Sequence, residues 1–178
     1  ISQGCRAVIK LAGQIVIARL LVPADYGLVA MVAPILSLVY LMGELGLGQA
    51  VIFEPEITPR DVSALFWFGL LLNTALAGSL ALLSPAIAWL YHEPRTIRVT
   101  LVLAALLPVS GLAVQPMALL TRHMRFVALA VLDVVPSGLA LLVGLAAAWY
   151  GWAYWSLIAF AIAETLAGVA IWTLVAVL

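Results

Sequence analysis

The sequence predicts an all-α fold, a polytopic membrane helix bundle of about six spans. Three observations predict it. The chain is 66% hydrophobic and only 9% charged, whereas a soluble domain is about 45–50% apolar and about 25% charged. Its mean hydropathy is +1.23. Its apolar residues also fall into runs of the ~20 residues that a hydrocarbon layer of ~30 Å asks of a helix. Formal net charge is zero, which gives no support for a nucleic-acid surface, and no nucleic-acid partner is expected. The single cysteine, Cys5, cannot close an internal disulfide, and no zinc spacing exists. No metal and no cofactor are expected.

The first run spans about 2–22. At about 100° per residue, Gln3, Arg6, Lys10 and Gln14 fall within about 80° of one another, opposite a face of Ala, Val, Ile and Leu. An ionised group in hydrocarbon costs at least ~2.5–3.5 kcal/mol, so this stripe needs a reason. Either it walls a polar cavity inside the bundle, or Arg6 and Lys10 snorkel to the headgroup layer. The two cations inside the run, with no small-residue cleavage site after it, argue against a signal peptide.

Pro23-Ala24-Asp25-Tyr26 reads as a turn, and the second run covers about 27–48, closing in Gly43-Glu44-Leu45-Gly46-Leu47-Gly48. That glycine stretch imitates a phosphate loop only loosely and follows a helix rather than a strand. A polar connection over 53–61 leads to the third run, about 62–90, with Trp67 near one end and Trp89 and Tyr91 at the other. Those aromatics suit the two interfacial belts of a bilayer. The fourth run, about 97–120, holds Pro108, Gly111 and Pro116, which predicts a kink. The fifth, about 127–149, follows the most basic loop, 121–126. The sixth, about 155–178, follows the aromatic connection 149–155. Connections are short, so neighbouring helices are antiparallel. The chain begins with Ile and stops inside an apolar run, from which we expect a fragment of a longer protein.

Lys and Arg set the orientation. With the first run starting in the cytoplasm, Arg6, Lys10, Arg60, Arg122 and Arg125 lie inside, and Arg19, Arg95 and Arg98 outside. Arg122 and Arg125 read first as topology anchors and second as lipid-phosphate contacts. Three carboxylates fall within or at the ends of spans. Glu44 ends the second run beside glycines. Asp133 lies about seven residues into the fifth, where Arg6 or Lys10 would be a suitable partner. Glu164 is mid-span in the sixth and is the costliest single charge, so it is either neutral or paired inside the bundle. Asn73 and Gln115 are mid-span amides of the kind that glue helices together. No nucleophile with an oriented base is visible, so an enzyme is not expected.

Several blocks resemble a known family: ARLLVPADYGLVAMV (18–32), LGLGQAVI (45–52), ITPRDVSALFWF (57–68), AIAWLYHEP (86–94) and PMALLTRHMRF (116–126). They are similar to the N-terminal half of bacterial polysaccharide exporters. These are lipid-linked oligosaccharide flippases of the polysaccharide transport family in the MOP superfamily. The resemblance implies one lobe of a two-lobed transporter, residues 1–178, with a missing C-terminal lobe. It implies a multi-pass protein of the bacterial inner membrane that moves an undecaprenyl-pyrophosphate glycan between leaflets by alternating access. Membrane lipid, the lipid-linked oligosaccharide and glycan-assembly enzymes are then the expected partners. The cationic cavity of such proteins maps here onto Arg6, Lys10 and Arg19, with Asp133, Glu164 and Glu44 as charge-pairing or coupling groups. Two alternatives stand beside it. A multidrug or organic-cation exporter of the same superfamily predicts an acidic cavity with Asp133 and Glu164 facing substrate. A non-transporting scaffold for glycan-assembly enzymes predicts no polar cleft.

Overall fold

The computed structural model describes the backbone of residues 11, 13, 15–16, 22–44, 59–122 and 126–177. Within these it leaves out the side chains of 23, 44, 59, 62, 114–122, 126–133, 172 and 174–177. Five helices follow in order: α1 (Pro23–Glu44), α2 (Pro59–Tyr91), α3 (Arg95–Arg122), α4 (Phe126–Trp149) and α5 (Trp155–Val177). No strand occurs among the described residues. Ala24–Gly43, Ser63–Tyr91 and Arg95–Ala113 are each long and apolar enough to cross a membrane. Shorter apolar stretches, Val134–Trp149 and Trp155–Ile171, lie within α4 and α5. The chain is a membrane helix bundle.

Two helices start earlier than the hydropathy suggests. The turn expected at Pro23–Tyr26 is the first turn of α1, where Asp25 N–H and Tyr26 N–H both donate to Val22 C=O at 2.9 and 3.3 Å. Proline suits a first helical position because the N–H it lacks would have no partner there, and Asp25 complements the positive end of the helix dipole. Pro59 and Asp61 open α2 in the same way. The fourth run is helical without a break through Pro108 and Pro116.

Both described hairpins share one design. Helix α2 ends with Glu93 N–H donating to Ala88 C=O and His92 N–H to Trp89 C=O. Helix α4 ends with Trp152 N–H donating to Ala147 C=O and Gly151 N–H to Ala148 C=O. This paired pattern needs a left-handed residue just past the helix, and His92 (φ 53°) and Gly151 (φ 75°) supply it. The next helix then opens with a buried hydroxyl: Thr96 donates to Glu93 C=O at 2.6 Å and Ser156 to Ala153 C=O at 2.7 Å. Each turn is thereby short and closed by hydrogen bonds from both helix ends, which holds α2 against α3 and α4 against α5.

Helix α3 packs against all four of the others. Its Val99 and Leu107 are wholly buried, as are Val32 of α1, Leu80 of α2 and Ile158 of α5. The outward faces are apolar as well. Leu82 is 83% exposed, Trp89 77% and Trp149 87%, surfaces that only hydrocarbon or the lipid interface can cover at low cost.

Asn73 joins three helices. It is buried on α2, and its Nδ2 donates to Gly69 C=O at 2.9 Å. Gly43 of α1 and Gly111 of α3 both lie against its amide. A Cβ at Gly43 would stand 2.8 Å from Asn73 Oδ1, and one at Gly111 would stand 3.2 Å from Nδ2. The two glycines admit the amide, as expected of a residue that glues helices. Gly43→Ala is therefore expected to destabilise by about 1–3 kcal/mol, read as a lower Tm in detergent. Asn73→Ala in the same chain vacates the space, so the double variant should lose less than the two singles combined. Gly78→Ala, with nothing within 4 Å of the added Cβ, is the control and should shift stability by no more than about 0.5 kcal/mol. Strict additivity of Gly43→Ala and Asn73→Ala would remove the amide from this contact.

Candidate functional site

The polar centre of the bundle forms around Glu164. It is the tenth residue of α5, so it lies about 14 Å along the axis from the helix start, close to half the thickness of a hydrocarbon layer. The residue is half-buried. Opposite it, Ser137 of α4 is buried, and its Oγ donates to Glu164 Oε1 at 3.4 Å. Both residues engage in further interactions beyond this pair. Tyr40 of α1, also half-buried, stands within electrostatic range of the same carboxylate. The three side chains come from three helices.

Local sequence explains why they meet. Helix α4 buries Ser137, Ala140, Gly144 and Ala147 at helical spacing, and such small residues let a neighbouring backbone come close. That seam is what allows a short serine hydroxyl to reach a glutamate on α5. Pro136 precedes it inside α4. Lacking an N–H, it leaves the carbonyl four residues back without its helical donor. Thr165, next to Glu164, turns its hydroxyl back to Ala161 C=O at 2.9 Å and so is satisfied on its own helix. The bundle thus offers a mid-span carboxylate that accepts from a buried serine hydroxyl, an arrangement able to hold a proton or a cation. Among the described residues no three His, Cys, Asp or Glu side chains gather as metal ligands would.

The other residues singled out in the sequence fall as follows. Asp133 lies on α4 four residues before Ser137, Glu44 is the last residue of α1, and Arg122 is the last residue of α3. The side chains of these three lie outside the described residues, as does that of Gln115. Arg6, Lys10, Arg19 and Arg125 lie outside them altogether. The first run is represented by residues 11, 13, 15 and 16, all helical. Gly13 is buried against α4, where an added Cβ would stand 2.6 Å from Leu141 Cδ1, one turn along from Ser137. Sequence reasoning missed Ser137 and Tyr40. The signal available for Tyr40 was a tyrosine placed away from both ends of its run, whose hydroxyl would need a partner.

Comparison with known proteins identifies a family and a curated relative. Residues 16–177 match a family described as polysaccharide biosynthesis protein. Over 144 residues the chain is 25% identical to the succinoglycan biosynthesis transport protein ExoT of Rhizobium meliloti (strain 1021), a match that covers 81% of this chain and 29% of that protein. The chain therefore spans less than a third of the length of that relative. No solved structure matches it. With the family match running over nearly its whole length, the chain belongs to the polysaccharide biosynthesis protein family.

Proposed function

We propose that this chain is the first lobe of a transporter that carries a lipid-linked oligosaccharide across the bacterial inner membrane by alternating access, for polysaccharide export. The observation that carries this reading is the Glu164 centre. A carboxylate mid-span that accepts from a serine of a neighbouring helix, with a tyrosine of a third helix in electrostatic range, in a chain of this family, is a device for charge movement within a membrane. The relative is named as a transport protein, which favours a carrier over an enzyme or a scaffold. In this proposal Arg6, Lys10 and Arg19 face the diphosphate of the substrate. The spacing of the sequence, taken as a regular helix, would put Arg6 and Lys10 about 20° and 60° from Gly13, a residue of the first run that meets α4 near Ser137. Asp133, Glu164 and Glu44 pair with the cations when substrate leaves or titrate with a coupling ion. A C-terminal lobe of the same protein completes the cleft.

The test uses the native gene at full length. Its deletion should leave a glycan-lipid on the cytoplasmic leaflet, unreachable by a lectin or glycosidase added to spheroplasts, and re-expression should restore access. The same strain also tests the exporter of organic cations. Unchanged glycan exposure together with increased sensitivity to cationic dyes would replace the proposal with that alternative. Unchanged exposure and unchanged sensitivity would leave the scaffold.

A further inference from the structure

The outward face of α2 carries a feature that the Glu164 centre does not use. Trp67, Phe68, Leu70, Leu71 and Thr74 line a shallow cavity of about 560 Å³ that opens away from the bundle. Trp67 is set by an edge-on contact with Phe66, ring centroids 5.7 Å apart and planes at 80°. The single hydroxyl in the lining, on Thr74, is spent on Leu70 C=O at 2.7 Å. What remains for an occupant is hydrocarbon and an aromatic wall. Seven residues before Trp67, about 10 Å along the axis and within about 20° of it around the helix, stands Arg60, exposed at the mouth of the span. Arg122 ends α3 at this same end of the α2–α3 hairpin.

A cation at the headgroup level above an apolar groove in a membrane span matches one kind of molecule. We propose that α2 seats an anionic phospholipid, its phosphate forked by the Arg60 guanidinium and one acyl chain lying in the Trp67–Thr74 groove. Asp61 stands beside Arg60 in the same exposed turn, so the selection of an anionic headgroup rests on the fork itself: guanidinium binds phosphate oxygens in pairs, and a zwitterionic lipid brings its own cation. An ordinary membrane phospholipid fits better than the transported glycan-lipid. Helix α2 packs against α1 and α3, and the groove opens on its outer side, whereas the Glu164–Ser137 pair is built by α4 and α5. The site therefore stands or falls independently of the transport reading.

The experiment is native mass spectrometry of the full-length protein released from nanodiscs of equimolar phosphatidylglycerol and phosphatidylcholine. Wild-type protein should retain phosphatidylglycerol over phosphatidylcholine by about fivefold, the discrimination one surface arginine provides. Arg60→Gln should bring the ratio to about one, while Arg60→Lys, which keeps the charge and loses the fork, should keep only part of it. Trp67→Ala should lower retention of both lipids and leave their ratio in place, and Trp89→Ala, on the same helix outside the groove, should change neither. Equal retention of the two lipids by wild type would overturn the proposal. So would an Arg60→Gln ratio identical to wild type in a protein of normal Tm, which would assign the preference to other cations.

Discussion

Glu164→Gln is expected to lower glycan export at least about tenfold and to make what remains insensitive to an imposed proton gradient. The amide keeps the length of the glutamate and an oxygen able to accept from Ser137 Oγ. Size and packing are thus preserved, and only ionisation is lost. A tenfold rate change corresponds to about 1.4 kcal/mol, small beside the several kcal/mol that a mid-span charge costs. A carboxylate retained at such cost is expected to cycle between charged and neutral states as the lobe changes its exposure. Glu164→Asp keeps the ionisable group one methylene shorter and should keep the gradient dependence at reduced rate. Ser137→Ala and Tyr40→Phe each remove one neighbouring hydroxyl and should lower the rate by a smaller factor, about two- to fivefold if each contributes about 0.5–1 kcal/mol. Glu164→Leu removes both the ionisable group and the acceptor of Ser137 Oγ, and export should be lost altogether. Export by Glu164→Gln at the wild-type rate, with the wild-type gradient dependence, would reduce this residue to a packing group.

The membrane helix bundle was legible because bilayer thickness writes itself into run length, and Glu164 stood out because a charge among alanines and leucines is costly wherever it points. The remainder depended on which helices touch. Pro23 and Pro59 looked like breaks because proline also makes turns, and only the pairing of Val22 C=O shows a helix already begun. Asn73 was readable as helix glue, but its two glycines stand on other helices, 30 and 38 residues away, where sequence spacing carries no information. Ser137 escaped notice because a serine hydroxyl in a span usually returns to its own backbone, as Ser37 and Ser79 do at 2.9 Å each. What distinguishes Ser137 is the small-residue seam that brings α5 alongside, a property of two helices together. The central place of α3 was hidden for a similar reason. Thr96 and Thr100 lower its hydropathy, yet both are wholly buried because small hydroxyl residues pack closely between helices.

Arg6→Ala and Lys10→Ala are each expected to cut export about tenfold or more while membrane abundance stays at the wild-type level. A diphosphate carries its charge on oxygens that hydration stabilises strongly, so a path through the membrane must replace that water with fixed donors. Arginine offers a planar fork of N–H groups matched to paired oxygens, and lysine a compact charge on a flexible stem. The two substitutions are therefore not equivalent in their conservative forms. Arg6→Lys should lose much of the export because the fork is gone, whereas Lys10→Arg should keep most of it. If the cations also pair with the carboxylates of the empty state, Arg6→Ala should be partly relieved by Glu164→Gln, since the second change removes the negative charge that the first leaves unpaired. A snorkelling role predicts the opposite pattern: Arg6→Lys silent, Ala variants lowering abundance or altering topology, and no coupling to Glu164. Export equal to wild type in both Ala variants, at equal abundance, would take the first run out of the substrate path and leave charge movement to the Glu164 centre alone.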